Sequence, residues 1–260
     1  MSQPPPPYVE GHNLLAGKTV LVTAAAGKGI GFATAKKCLE EGARVMISDI
    51  HDRRLAEAAD ALEQECGVAV PTKICNVSQE EDVRSLIDAA VAEFGQLDVL
   101  INNAGLGGTA NVVDMTDEQW SMVLDVTLTG TFRMTRAALP HMMANKSGVI
   151  VNNASVLGWR AQVGQAHYAA AKAGVMALTR CSALEAAEFG VRINCVSPSF
   201  ATHPFLVKTT PKETLDALEA QEAFGRGAQP FEVANVMVFL ASDYSSYMTG
   251  ETVSVSSQRA

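Results

Sequence analysis

A chain of 260 residues, 48% apolar and 18% charged, suits a globular protein with a sizeable buried core. Its net charge of −8 argues against nucleic acid or an anionic membrane as the main partner. Five cysteines with no C-x-x-C pair read as reduced cytoplasmic thiols, not as a disulfide framework or zinc site.

The chain opens "MSQPPPPYVEGHNLL", which has no basic stretch followed by an apolar core and so does not read as a secretory signal. Its four successive prolines favour an extended, solvated, flexible arm over residues 1–14, with a ligand for a proline-binding module as the lesser alternative. No apolar run reaches the roughly 18 residues that span a bilayer.

From Lys18 onward, strand-like runs alternate with helix-like stretches. The strands are expected at "KTVLVT", "RVMISD", "AVPTKICNV", "LDVLINNAG", "GVIVNNAS", "VRINCVSPS" and "ETVSVSS". Stretches such as "GFATAKKCLEEG" and "EEDVRSLIDAAVAEFG" between them carry helical periodicity. Ser78 with Glu81, and Thr116 with Gln119, have capping-box spacing. Near-continuous apolar strands joined by helices predict one α/β domain, residues 15–260, with a doubly wound parallel sheet covered on both faces.

Where the first strand meets the first helix, the chain reads "LVTAAAGKGIG". Glycines there admit backbone amides to a phosphate, and the helix N-terminus favours its charge. Ala24 stands where such a loop usually has its first glycine, and one extra residue separates Thr23 from Gly29. Asp49 ends the second strand 18 residues beyond Gly31, near the spacing at which an acid receives ribose hydroxyls. That carboxylate repels a 2′-phosphate and favours NAD over NADP, while Lys28 pulls the other way. Ile50 supplies no cation, and Arg53 and Arg54 fall in the next helix.

Tyr168 and Lys172, four apart in "HYAAAK", share one helical face. A nearby ammonium is expected to lower the phenol's pKa, and Ser155 at a strand end can bond a carbonyl or alkoxide oxygen. Together they would polarise a C–O group while a hydride moves to or from a nicotinamide.

With "GIG", Asp49, "NNAG", Ser155, "YAAAK" and "VRINCVSP" in this order, the chain resembles the short-chain dehydrogenase/reductase family over about Leu15–Val255. The resemblance implies a Rossmann-like sheet of seven parallel strands, nicotinamide-dependent chemistry on a secondary alcohol or ketone, and a homotetramer or homodimer. It implies Ser155, Tyr168 and Lys172 as catalytic residues. It implies a cofactor site from Ala25, Lys28, Gly29, Ile30, Asp49, Asn76, Val77, Asn103, Ala104, Gly105, Pro198 and Phe200, with Tyr168 and Lys172 also touching the cofactor.

Several positions depart from the family pattern. Asn76 replaces an aspartate that meets the adenine amine, and Ser199 replaces a glycine. The carboxamide-binding threonine corresponds to Thr202 or His203. Thr127 replaces a catalytic asparagine that acts through its carbonyl in a proton relay; threonine keeps the carbonyl, or it is merely a helix-kink residue. "VTLTGTFRMTRAAL" and "EAFGRGAQPFEVA" resemble the actinobacterial branch of 3-oxoacyl reductases and hydroxyacyl-CoA dehydrogenases. Some of that branch look similar to enzymes that handle the bicyclic CoA thioesters left after steroid ring opening.

The segment 200–227 reads as a lid. Phe205 and Leu206, with Trp159, are expected at a bulky apolar substrate, although a subunit contact or core packing fits the same composition. Lys208, Lys212 and Arg226 are candidates for a CoA phosphate, and no histidine spacing suggests a metal. The alternative function is a catalytically silent dinucleotide sensor or scaffold, which the changes at Ala24, Asn76, Thr127 and Ser199 would suit.

Overall fold

The seven expected strands form β1 (Thr19–Val22), β2 (Arg44–Asp49), β3 (Thr72–Ile74), β4 (Val99–Asn102), β5 (Gly148–Asn153), β6 (Val191–Pro198) and β7 (Thr252–Val255). In the computed structural model they pair in parallel as one sheet of order β3-β2-β1-β4-β5-β6-β7. Residues 3–209 and 211–257 are described, apart from the side chains of Pro204, Phe205 and Thr209.

The helices are α1 (Ile30–Glu40), α2 (Asp52–Cys66), α3 (Glu80–Phe94), α4 (Asp117–Leu124), α5 (Gly130–Ala144), α6 (Ala166–Ala186), α7 (Pro204–Thr209), α8 (Lys212–Gln221) and α9 (Pro230–Ala241). Alternate strand residues face opposite layers. Val20, Val22, Val45 and Ile47 pack against α1, α2 and α9, whereas Leu21, Met46, Leu100, Ile150 and Ile193 pack against α3, α5 and α6. Both faces of β1 and β4 are therefore buried, which is why their sequences read as apolar runs without alternation. No helix among the described residues is long and apolar enough to cross a membrane.

After β1 the chain winds outward to β3, then returns to pair β4 with β1 and winds the other way. That reversal opens a crevice at the strands' carboxyl ends. The register brings those ends level: Val22 lies opposite Ile101, and Asn102 opposite Asn152.

Thr116 and Gln119 form the expected reciprocal capping box at α4. Ser78 does not cap α3; the N-cap is Gln79. The Ser78 amide is turned back onto Asn76 Oδ1 at 3.0 Å, so the chain leaves that turn one residue later than the spacing suggested.

The proline-rich arm has no regular secondary structure, but it is not the free tail expected of residues 1–14. Met1 and Ser2 lie outside the described residues. Tyr8 donates to Glu40 at 2.6 Å and meets the Phe231 ring edge-on, and Lys37 Nζ donates to the Val9 carbonyl at 2.6 Å. Glu41, only 2% exposed, accepts the His12 and Leu14 amides at 2.7 and 3.0 Å and lies 3.4 Å from Lys37. Segment 8–14 is thus bolted to the end of α1 by a buried ion pair whose remaining valences are met by backbone.

Breaking such a pair from one side strands a buried charge and typically costs about 3–5 kcal/mol. Glu41→Ala should lower unfolding stability in urea by roughly that amount, while Glu40→Ala, on the more exposed neighbour, should cost under about 1 kcal/mol.

Candidate active site

The carboxyl ends of β1, β2, β4, β5 and β6 meet the start of α1 and the face of α6 at the crevice. The β1 end turns through Ala24, whose φ is +50°, a left-handed conformation that favours glycine. Ala24 therefore adopts the turn that a glycine would make, at a conformational cost. Gly31, in the first turn of α1, shows why small residues gather here: a Cβ on it would lie 2.4 Å from the Ala24 carbonyl oxygen and 2.5 Å from Asn103 Nδ2.

Asn103, just beyond β4, holds the turn. Its Nδ2 donates to the Thr23 and Ala24 carbonyls at 3.2 and 3.0 Å. The Asn103 and Ala104 amides both donate to Thr23 Oγ1, at 3.0 and 3.1 Å.

Beside this turn lies a cavity of about 530 Å³, lined in part by Ala24, Asp49, Asn76, Val77, Ala104 and Gly105. Asp49 accepts the Ala26 amide at 3.2 Å and the His51 amide at 3.0 Å. Burial raises its carboxyl above the ordinary value, against the Ala26 N–H and the positive charge of Arg54. Arg54 is on α2 as expected, yet it also lines this cavity, as does His51. Arg53 instead points to Glu57 at 3.3 Å, and Lys28 is exposed on the loop.

Gly29 caps α1, Ala25 is fully buried with its amide on Ser48 O, and Ile30 packs partly buried against the core. Asn76 Oδ1, expected to face an adenine amine, accepts the Ser78 amide, so that oxygen already has a partner.

Ser155 follows β5, and its Oγ accepts the Leu157 amide at 3.2 Å, starting a single short helical turn, 156–158. Tyr168 and Lys172 are both on α6, as their spacing predicts. A side-chain hydrogen bond joins Tyr168 to Ser155. The Tyr168 phenol lies above its ordinary value, because burial outweighs that bond. This corrects the expectation that Lys172 lowers it.

The Lys172 ammonium, 5.5 Å from the Tyr168 ring centre, is committed to the Asn153 carbonyl at 2.5 Å. Lys172 is 2% exposed, and burial pushes its pKa down to about 8. Gly105 sits against this ammonium: a Cβ there would lie 3.3 Å from Nζ and 3.8 Å from Thr127 Oγ1.

Thr127 lies in a π-helical turn, Asp125–Thr129, between α4 and α5. Its hydroxyl clamps Leu106, receiving the amide at 3.0 Å and donating to the carbonyl at 3.2 Å. Its carbonyl accepts the Thr131 hydroxyl at 2.8 Å. The oxygen expected in a relay thus already has one partner, and the side chain holds the strand-to-helix loop in place.

Pro198 closes β6 and is buried. Beyond it, the ends of the expected lid are tied together: Ala201 bridges Ala228, and the Ala228 amide donates to Phe200 O at 2.8 Å. Phe200 braces Gly227, where a Cβ would meet its ring at 2.7 Å and Thr202 Oγ1 at 2.2 Å. His203 Nδ1 accepts the Leu206 amide at 3.3 Å, and burial lowers its pKa.

Leu206 is partly buried and Trp159 is 48% exposed, so neither is core; the Phe205 side chain lies outside the described residues. Two of the three proposed phosphate ligands are engaged elsewhere. Lys212 pairs with Asp216 at 2.8 Å, and Arg226 pairs with Glu232 through both terminal nitrogens. Lys208 is exposed. No group of three potential metal-ligating residues occurs among the described residues.

A family model described as enoyl-(acyl carrier protein) reductase matches residues 24–257. A Mycobacterium tuberculosis protein named (5R,7aS)-5-hydroxy-7a-methyl-1-oxo-2,3,5,6,7,7a-hexahydro-1H-indene-carboxyl-CoA reductase is 62% identical, over 97% of each chain. A 3-oxoacyl-(acyl-carrier-protein) reductase of Thermotoga maritima is 39% identical over 93% of this chain and 97% of its own. A crystal structure of a short chain dehydrogenase from Mycobacterium smegmatis superposes with a TM-score of 0.87, at 59% identity over 99% of both chains.

The depressed Lys172 pKa has a testable sign. Between about pH 8 and the unfolded value of 10.5, the unfolded chain binds more protons, so stability rises with pH through that window. Melting temperatures across it should climb for wild type relative to Lys172→Met; parallel curves would show that the ammonium is not desolvated.

Proposed function

The chain belongs to the short-chain dehydrogenase/reductase family, and from that premise we propose that it reduces the ketone of a bulky CoA-linked oxo substrate. The observation that carries this reading is the Ser155–Tyr168–Lys172 arrangement at the mouth of the crevice. The name of the M. tuberculosis relative supports a bicyclic CoA thioester as substrate. The identity to a 3-oxoacyl reductase supports an oxo group as the reacting centre.

The crevice suits a nicotinamide dinucleotide. A turn kept free of side chains at Gly31, a carboxylate beside an open cavity and a buried ammonium against Gly105 match its pyrophosphate, ribose and nicotinamide ribose. Bound there, the dinucleotide supplies or receives the hydride. Thr23, Asn103 and the α1 N-terminus hold the pyrophosphate loop, and Asp49 receives the ribose hydroxyls. Lys172 orients the nicotinamide ribose. Ser155 donates to the substrate oxygen, and Tyr168 passes it a proton.

Burial holds the Tyr168 phenol above its usual range, so at neutral pH it carries the proton that a ketone oxygen must receive on reduction. Oxidation would need the phenolate and should accelerate as pH rises. Asp49 favours NAD, with Arg54 as a counterweight for NADP. Leu206 and Trp159 line the substrate end, with Phe205 in the same segment. Trp120, Met122 and Phe132 leave apolar surface on α4 and α5, which suits a homotetramer or homodimer. The free thiols suit a cytoplasmic setting. The silent-sensor alternative gives no reason to keep Ser155, Tyr168 and Lys172 together.

The test is turnover with a bicyclic oxo-CoA thioester, scored with NADH and NADPH. Tyr168→Phe should retain dinucleotide binding and lose at least about a hundredfold in kcat; activity within a few-fold of wild type would remove Tyr168 from the chemistry. In fluorescence titrations wild type should prefer NADH, and Asp49→Ala should narrow that preference by about tenfold. Tighter NADPH binding by wild type would make Arg54 the deciding charge.

A further inference from the structure

Asn153 is the last residue of β5, two positions before Ser155. Its main-chain carbonyl receives the Lys172 ammonium at 2.5 Å, and its Nδ2 donates to Asn103 Oδ1 at 3.0 Å. Asn103 in turn spends both amide hydrogens on the Thr23 and Ala24 carbonyls. One residue therefore joins the buried ammonium on α6 to the turn that opens the dinucleotide loop. The turn has reason to need that support, since Ala24 holds a left-handed φ of +50° without being glycine.

The cost of the arrangement argues that the amide is there for this link. Asn153 Oδ1 is shut off from solvent and has no hydrogen-bond partner among the described residues. A residue chosen only to fill space would be apolar and would leave no acceptor unmet. Asn103, by contrast, has both of its amide donors and its oxygen engaged.

A second asparagine link lies one residue earlier on the same strands. Asn102 donates to Asn152 Oδ1 at 2.9 Å, and Asn152 donates to Thr179 Oγ1 at 2.9 Å, all of it buried. That rung ties β4, β5 and α6 together without touching the loop or the ammonium. It provides an internal contrast, with the same chemistry in the same strands but no connection to the cofactor end.

We infer that Asn153 is a positioning residue that couples Lys172 to the dinucleotide loop, so that the loop's turn and the ribose-binding ammonium keep a fixed spacing. The inference rests on the dinucleotide reading above, but not on any substrate. Asn103 alone would fix the loop relative to β1 and β4. The Asn153 side chain carries the loop's own contacts on to β5 and, through its carbonyl, to the Lys172 ammonium on α6.

The test is NADH and NADPH binding by fluorescence titration, with thermal melts of the same proteins. Asn153→Leu, close to isosteric, should weaken the preferred dinucleotide about tenfold. Thr179→Val, on the deeper rung, should lower the melting temperature yet leave affinity within twofold. In a Lys172→Met background the Asn153→Leu loss should shrink below threefold, because its target is already gone. If Asn153→Leu does not fold, Asn153→Ser, too short to reach Asn103, should show the same loss and the same shrinkage. Unchanged affinity in the Asn153 variant would overturn the inference, as would an equal tenfold loss in both backgrounds. Wild type that binds neither dinucleotide would overturn the cofactor reading itself, and this proposal with it.

Discussion

A lysine ammonium taken out of water needs an acceptor, and Lys172 has the carbonyl of Asn153. Around that contact the rest of the crevice is arranged. The acceptor sits at a strand end whose level is set by the β4–β5 register, and the donor sits on α6, packed across that strand. A side chain at Gly105 would crowd the ammonium, which a Cβ there would meet at 3.3 Å. The desolvation that depresses the lysine also surrounds Tyr168, four residues earlier, and drives the two groups in opposite directions. Burial penalises whichever form carries charge, so the phenol keeps its proton more firmly and the amine less so. Phenol and ammonium, nearly matched in proton affinity when free in water, are thereby drawn apart, with the proton held more firmly on Tyr168 than on Lys172.

Much of this was legible in the sequence because it is periodic or local. Two residues four apart on a helix share a face whatever the tertiary structure, which placed Tyr168 with Lys172. Apolar runs broken by glycine and polar turns gave all seven strands, because a parallel sheet covered on both faces needs such runs. Asp49 followed from its distance to the loop.

What escaped the sequence was set by contacts between distant segments. Asn153 looks like the end of an apolar strand until the register brings Asn103 beside it. Arg54 belongs to α2 by any local measure, yet the helix's approach turns its charge toward Asp49. The tethering of the arm rests on Glu41, an acid at a helix end that would ordinarily be solvated. Ser78 had the right spacing for a cap and lost the role because Asn76 had already captured its amide. For Asn153 and Glu41 the deciding partner lies far away in sequence, whereas Ser78 lost its role to a neighbour two residues back.

The π-helical turn at Asp125–Thr129 has a consequence for how this fold can vary. Such a turn is an α-helix carrying one residue too many, with the surplus accommodated by a local bulge. Deleting a single residue there would restore regular winding but rotate everything on one side of it by about 100°. Thr127 would swing off Leu106, and the small face of Gly130 would turn away from Val77, where a Cβ would lie 2.8 Å from a methyl carbon. A substitution at position 127 therefore leaves the winding as it is, while the count of residues between α4 and α5 is locked. A side chain within the bulge can be replaced in place, but the bulge can be shed only by rebuilding the helix that follows it.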